Sequence, residues 1–156
     1  MTLPKTPSQT VGPYYAIGLC RRPDNELVPP ADPTSLRLIG RLLDGEGVGI
    51  DGMIEVWDAQ AQRWGRSGTD SEGMFQFTVA KPEPAPGEAP RLNVWVFARG
   101  LLKHQLTRVY APGASDAVLE SLPEEQRSTL VAAEEDGALR FDIRMQGDRA
   151  TVFFAV

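Results

Sequence analysis

Short stretches in which apolar and polar residues alternate recur along most of this chain, and no other feature constrains its fold as strongly. The alternation is strictest in residues 74–79 and 139–145, where every second side chain is apolar. A period of two is typical of a β-strand that presents one face to a core and the other to solvent. Turn-forming residues such as Asp44-Gly45-Glu46-Gly47 separate the stretches. The pattern therefore predicts an all-β fold.

The arrangement predicted is an antiparallel β-sandwich of about seven to eight strands with one short helix. The helix should begin at Ser121 as N-cap, with Pro123 and Glu124 in its first turn, and should end near residues 130–132. The predicted strands are residues 36–42, 53–58, 74–79, 92–98, 106–110, 139–145 and 151–156.

The first 34 residues have a different character from the rest. Prolines, glycines and charged residues leave no room for a regular element in most of this segment. Tyr14, Tyr15 and Ile17 are nevertheless apolar residues that a disordered tail would not need. We therefore expect an ordered N-terminal arm and loop over residues 1–34, followed by one sandwich domain over residues 35–156; a chain of 156 residues suffices for one core of this kind.

Charge and hydropathy narrow the classes of function. The net charge of −5 argues against a nucleic-acid-binding protein, which normally carries a basic stripe. No apolar run approaches the roughly 20 residues of a membrane span, and the N-terminus has no apolar signal core. A cytoplasmic location is the expectation. Cys20 is the only cysteine, so no disulfide can form within the chain.

Few residues could carry chemistry. His104 is the only histidine, so neither a zinc site nor a ferric site of two histidines and two tyrosines can be assembled from this chain alone. Asp70 and Glu72 lie in a predicted turn and are expected to be solvated. Arg99 is the exception, because it ends the most apolar predicted strand just before Gly100, and binding groups are often found where a strand opens into a loop.

Several segments together carry a resemblance to a known family. They are residues 6–14 (TPSQTVGPY), 93–100 (NVWVFARG), 107–110 (TRVY), 140–147 (RFDIRMQG) and 151–154 (TVFF). The combination resembles the intradiol ring-cleaving dioxygenases, and within them the alpha-type subunits, which carry no iron. The similarity spans most of the chain.

The resemblance implies a partner and a reaction. In this family a homologous beta-type subunit binds Fe(III) through two tyrosines and two histidines. The pair inserts O2 between the hydroxyl-bearing carbons of 3,4-dihydroxybenzoate and yields 3-carboxy-cis,cis-muconate. Where the beta pattern has His-x-His, this chain has Arg91-Leu92-Asn93, and it has no tyrosine between residues 16 and 109. It should therefore hold no cofactor itself and depend on the Fe(III) of its beta-type partner.

The family's alpha-side substrate pocket corresponds here to four residues of the arm and one strand end: Thr10, Gly12, Pro13, Tyr14 and Arg99. Their chemistry suits these roles. A glycine lets backbone approach a ligand closely, and a tyrosine ring offers an apolar wall with a hydroxyl. The guanidinium of Arg99 matches a benzoate carboxylate. No catalytic residue and no metal ligand is expected in this chain.

Two alternatives remain at the level of sequence. One is a stand-alone β-sandwich module that binds a protein or carbohydrate without enzymatic activity. The arm motif and Arg99 argue against it, because a generic sandwich has no reason to carry them. The other is a self-sufficient single-chain intradiol dioxygenase, which the missing iron ligands argue against.

Overall fold

Two β-sheets form the body of the protein, in a computed structural model that describes residues 3–155. The strands over this range are β1 (Ser35–Leu43), β2 (Gly52–Asp58), β3 (Arg63–Gly68), β4 (Met74–Ala80), β5 (Arg91–Ala98), β6 (Gln105–Tyr110), β7 (Ala133–Glu135), β8 (Ala138–Arg140) and β9 (Ile143–Arg144). One sheet has the order β4-β1-β8-β7, with β9 also paired to β1; the other has the order β3-β2-β5-β6. The predicted β-sandwich is confirmed.

The core lies between the two sheets because the alternating apolar side chains of both point inward. Leu38 of β1 and Phe77 of β4 pack from one sheet, and Ile54 of β2 and Val94 of β5 pack from the other. All four are essentially inaccessible to solvent. The strands predicted from residue 36 to residue 110 all form, each with ends within one residue of the prediction.

The strand predicted at residues 139–145 is wrong as a continuous element. It forms β8 and β9, both parallel to β1, with a break between them. At the break the amide of Phe141 still donates to the carbonyl of Ile39 (2.9 Å), but Asp142 instead uses its side chain to accept from the amide of Arg41 (3.0 Å). A strict period of two thus marks the buried face correctly and conceals the break.

The predicted last strand at residues 151–156 is also wrong over its described part. Phe154 makes only an isolated bridge with Leu106. The neighbouring residues are held by side chains, since the hydroxyl of Thr107 donates to the carbonyl of Val152 (2.8 Å). Val156 lies outside the described residues.

The helical prediction needs correction at both ends. The described chain has three short helices, α1 (Tyr15–Gly18), α2 (Ala117–Glu120) and α3 (Glu124–Ser128). Ser121 is the C-cap of α2, which is capped at its start by Asp116. The helix that follows ends at Ser128, because Leu130 turns inward and packs against Tyr110 and Leu119 in a second apolar cluster. Over residues 3–155, no helix is long and apolar enough to cross a membrane.

Candidate functional site

The arm is fastened to the end of β5 through Thr10. The hydroxyl of Thr10 accepts a hydrogen bond from the amide of Gly100 (2.8 Å) and lies 3.4 Å from the carbonyl of Ala98, to which it can donate. These two backbone groups stand on either side of Arg99. Thr10 therefore holds the arm and the backbone around Arg99 against each other.

A second attachment lies five residues further along the chain. Tyr15 is buried at the start of α1, and its phenolic O–H donates to Oδ1 of Asp51. Burial raises the pKa of the Tyr15 phenol well above its usual range, and the hydrogen bond to Asp51 and that residue's charge raise it further. The phenol is therefore a permanent donor at ordinary pH.

Asp51 and Arg99 lie opposite each other at this edge of the sheet. Gly52 and Ala98 are the outermost pair in the antiparallel register of β2 and β5, so the next residues outward are Asp51 and Arg99. The Nη1 atom of Arg99 is 4.0 Å from Oδ2 of Asp51, with 66% of the arginine and 53% of the aspartate side chain exposed. Such a contact between solvated groups is weak, so the guanidinium keeps its donors for a ligand.

The other three predicted residues lie between the two attachments. Gly12 has open space where a side chain would be, since a Cβ placed there would meet nothing within 4 Å. Pro13 is exposed, and Tyr14 has 79% of its surface accessible. With Thr10 and Tyr15 fixed to the same edge, all five predicted residues are brought to one end of the β2–β5 pair. Asp51 was not indicated by the sequence, and Tyr15 was expected only as an apolar residue of the arm.

The site is an open edge and not a closed cleft. A cleft of about 480 Å³ lies beside it, between Ser8, Gln9 and Val11 of the arm and the loop that includes Leu101 and Leu102. Two larger clefts, of about 570 and 1080 Å³, lie elsewhere and include none of the five predicted residues. A ligand at this edge would be covered on one side only.

The residues expected at the iron-ligand positions of the family do not fit a ferric ion. Arg91 is cationic and pairs through Nη2 with Oε1 of Glu88 at 2.7 Å, and Asn93 is a neutral amide on the same strand. His104 lies against the ring of Phe97, with ring centroids 5.5 Å apart. In the part of the chain that the structure describes, no three or more His, Cys, Asp or Glu side chains come together as a metal site.

Comparison of sequences identifies close relatives. The chain is 38% identical to the protocatechuate 3,4-dioxygenase alpha chain of Burkholderia cepacia over 195 aligned positions, covering 99% of each chain. It is 36% identical to that of Pseudomonas putida over 194 positions, covering 97% of this chain and 96% of the relative. The alignments are longer than the 156 residues of this chain, so the relatives contain insertions that it lacks. No model of a protein family matches the chain.

Solved structures show the same fold at lower identity. The dioxygenase domain of a dioxygenase carbohydrate-binding protein fusion from Streptomyces sp. SirexAA-E superposes with a TM-score of 0.62 at 18% identity, covering 91% of this chain and 99% of that one. Hydroxyquinol 1,2-dioxygenase from Pseudomonas putida DLL-E4 superposes with a TM-score of 0.59 at 16% identity, covering 89% and 65%. From its identity to the curated relatives over nearly their whole length, this chain belongs to the protocatechuate 3,4-dioxygenase alpha chains, subunits of intradiol ring-cleaving dioxygenases.

Proposed function

We propose that this chain is the iron-free half of a shared active site, completed by a homologous beta-type chain that holds Fe(III). The assembled pair would act on 3,4-dihydroxybenzoate and O2 and form 3-carboxy-cis,cis-muconate, in which both oxygen atoms are retained. The observation that carries the proposal is the open edge at which the arm residues and Arg99 are held together. An edge that covers a ligand on one side requires a second surface on the other.

Exposed apolar side chains beside the edge support a partner at this place. Tyr14 and Ile17 present most of their surface to solvent, on either side of buried Tyr15. Large apolar groups clustered in this way mark contact surfaces. The partner's iron would supply the redox chemistry at the two ring hydroxyls, and the arm of this chain would exclude water from one face of the ring.

Arg99 has the chemistry to recognise the carboxylate of the substrate. A carboxylate enclosed between two subunits loses its hydration, and that loss is uncompensated unless a charged donor replaces the water. The guanidinium can provide two parallel hydrogen bonds to it. Because the carboxylate does not react, this interaction is equally strong in the ground state and the transition state. It should act on KM more than on kcat.

The test is to co-express the chain with an iron-binding beta-type homologue and to compare Arg99→Met with the unaltered complex. A charge-assisted hydrogen bond contributes roughly 1.5–3 kcal/mol, so KM for 3,4-dihydroxybenzoate should rise about tenfold to hundredfold. Turnover of catechol, which lacks the carboxylate, should change much less. Steady-state kinetics on both substrates measures the difference.

Arg149→Met is the matched control, because Arg149 is an exposed arginine that does not line the cleft beside the site. It should leave both substrates unaffected. Equal losses for both substrates in Arg99→Met would make Arg99 a structural residue. A complex that does not form on co-expression, or that forms without dioxygenase activity, would contradict the proposal as a whole.

A further inference from the structure

We infer that Asp51 is a positioning residue that holds Arg99 and the arm in a fixed relation to each other; this inference rests on the proposed role of Arg99 in binding the substrate carboxylate. Asp51 immediately precedes β2 and Arg99 immediately follows β5. The antiparallel register therefore places them side by side at the edge where the arm crosses.

The two oxygens of Asp51 have different neighbours. Oδ1 accepts the hydrogen bond from the phenol of Tyr15, and Oδ2 faces Nη1 of Arg99 at 4.0 Å. Tyr15 is buried, so its ring is immobilised by packing and fixes the first oxygen. Because the carboxylate is planar, its two oxygens turn together about the Cβ–Cγ bond, so fixing the first oxygen also fixes the second. It provides a stationary negative charge next to a long and flexible side chain.

We expect the charge of Asp51 to orient the Arg99 side chain before the substrate binds. An arginine side chain has several rotatable bonds, and ordering them carries an entropic cost when it binds a ligand. A fixed charge beside it restricts the guanidinium before the substrate arrives, which lowers that cost on binding. Thr10 restrains the backbone on both sides of Arg99 in the same way. Contacts within this chain therefore hold Arg99 and the arm in place before a partner or substrate binds.

Two substitutions separate the functions of the two oxygens. Asp51→Asn removes the charge that faces Arg99 but keeps a side-chain oxygen that can accept from Tyr15. Tyr15→Phe removes the phenolic donor and leaves the charge in place. Asp51→Glu keeps the charge on a longer side chain and serves as the conservative variant. Each is made in the co-expressed complex, and gel filtration checks that the assembly is unchanged.

The readout is the preference for a carboxylated substrate, expressed as kcat/KM for 3,4-dihydroxybenzoate divided by kcat/KM for catechol. Effects of a loosened arm that are common to both substrates cancel in this ratio. Asp51→Asn should lower the ratio about two- to fivefold, the range expected for one exposed ion pair, and mainly through KM. Tyr15→Phe should lower it by less, and Asp51→Glu should restore part of it.

Combination with Arg99→Met decides whether Asp51 acts through Arg99. In that background Asp51→Asn should have no further effect on the ratio. The inference is overturned if Asp51→Asn leaves the ratio unchanged, or lowers it equally with Met at position 99. It is also overturned if Asp51→Asn raises the ratio, because Asp51 would then compete with the substrate for Arg99. If Arg99→Met by itself leaves the ratio unchanged, the proposed carboxylate recognition fails first and Asp51 has no such residue to position.

Discussion

Gly40 lies in the middle of β1, where the strand passes close to the chain at the break between β8 and β9. A Cβ at this position would lie 1.8 Å from the carbonyl oxygen of Phe141 and 2.6 Å from Cζ of Phe75. The first of these is backbone within a hydrogen-bonded bridge, so it cannot rotate away. The absence of a side chain at position 40 is therefore a packing requirement.

Gly40→Ala should destabilise the protein by about 3 kcal/mol or more, because the added methyl group forces β1 and the β8–β9 segment apart. Thermal or denaturant unfolding measures the loss. Gly18→Ala is the matched control, since a Cβ at Gly18 would meet nothing within 4 Å. Equal stability of the two variants would contradict the close approach of β1 and Phe141.

At the scale of single residues, the sequence points to what a side chain can do but not to what it faces. Arg99 stands out because a cation ends an apolar strand. Asp51 does not, because its contact with Arg99 depends on the register of β2 against β5. Tyr15 is visible in the sequence as an apolar arm residue, while its hydrogen bond to Asp51 depends on where the arm crosses the sheet.

Among the elements, the arm is the one whose role is least fixed by local sequence. Its outer part is exposed, as shown by Leu3, whereas the segment from Thr10 to Tyr15 is hydrogen-bonded to the sandwich. Two truncations separate these parts. Deletion of residues 1–14 removes four of the five predicted pocket residues, and deletion of residues 1–6 removes none of them.

We expect the longer deletion to weaken assembly with the beta-type partner and to abolish most turnover, because the exposed apolar surface of Tyr14 and one wall of the pocket are lost. The shorter deletion should leave both properties close to those of the intact chain. Gel filtration of the co-expressed chains and assays with 3,4-dihydroxybenzoate measure the two effects. Normal assembly and activity after deletion of residues 1–14 would contradict the proposed role of the arm.

Elements with strict alternation could be predicted from the sequence, and those held by neighbours could not. β3 was missed because its sequence, RWGRSG, has two glycines and no apolar period. It forms by pairing with Met53–Asp58 of β2. At Gly65 a Cβ would lie 2.3 Å from Cδ1 of Leu27 and 3.0 Å from the carbonyl oxygen of Asp24, both in the segment before β1. Such contacts between distant parts of the chain leave no periodic signal.

The chain as a whole has the fold of a ring-cleaving dioxygenase, and its composition excludes a ferric site of two tyrosines and two histidines within the chain. Its sequence contains one histidine, three tyrosines and one cysteine. A ferric site built from two tyrosines and two histidines cannot be completed by any folding of this chain.

The division of the chain into an arm over residues 1–34 and a domain over residues 35–156 stays a prediction. The two parts are connected by hydrogen bonds, since Asp24 and Leu27 of the first part bond to Arg66 and Thr78 of the second.

The last prediction concerns the metal content of the separated subunits. The chain is purified alone, exposed to Fe(III) and freed of excess iron. It should then contain far less than one iron per chain and show no ligand-to-metal absorption. The reason is that Arg91 and Asn93 stand where the beta pattern has two histidines, and His104 is the only histidine of the chain. The beta-type partner purified in the same way is the positive control, and the complex should carry the partner's iron without gaining a second ion. Elemental analysis and visible spectra measure both properties. Stoichiometric, coloured iron on the isolated chain would mean that it builds a site from ligands other than those of the family, and the proposed dependence on a beta-type partner for iron would then be wrong.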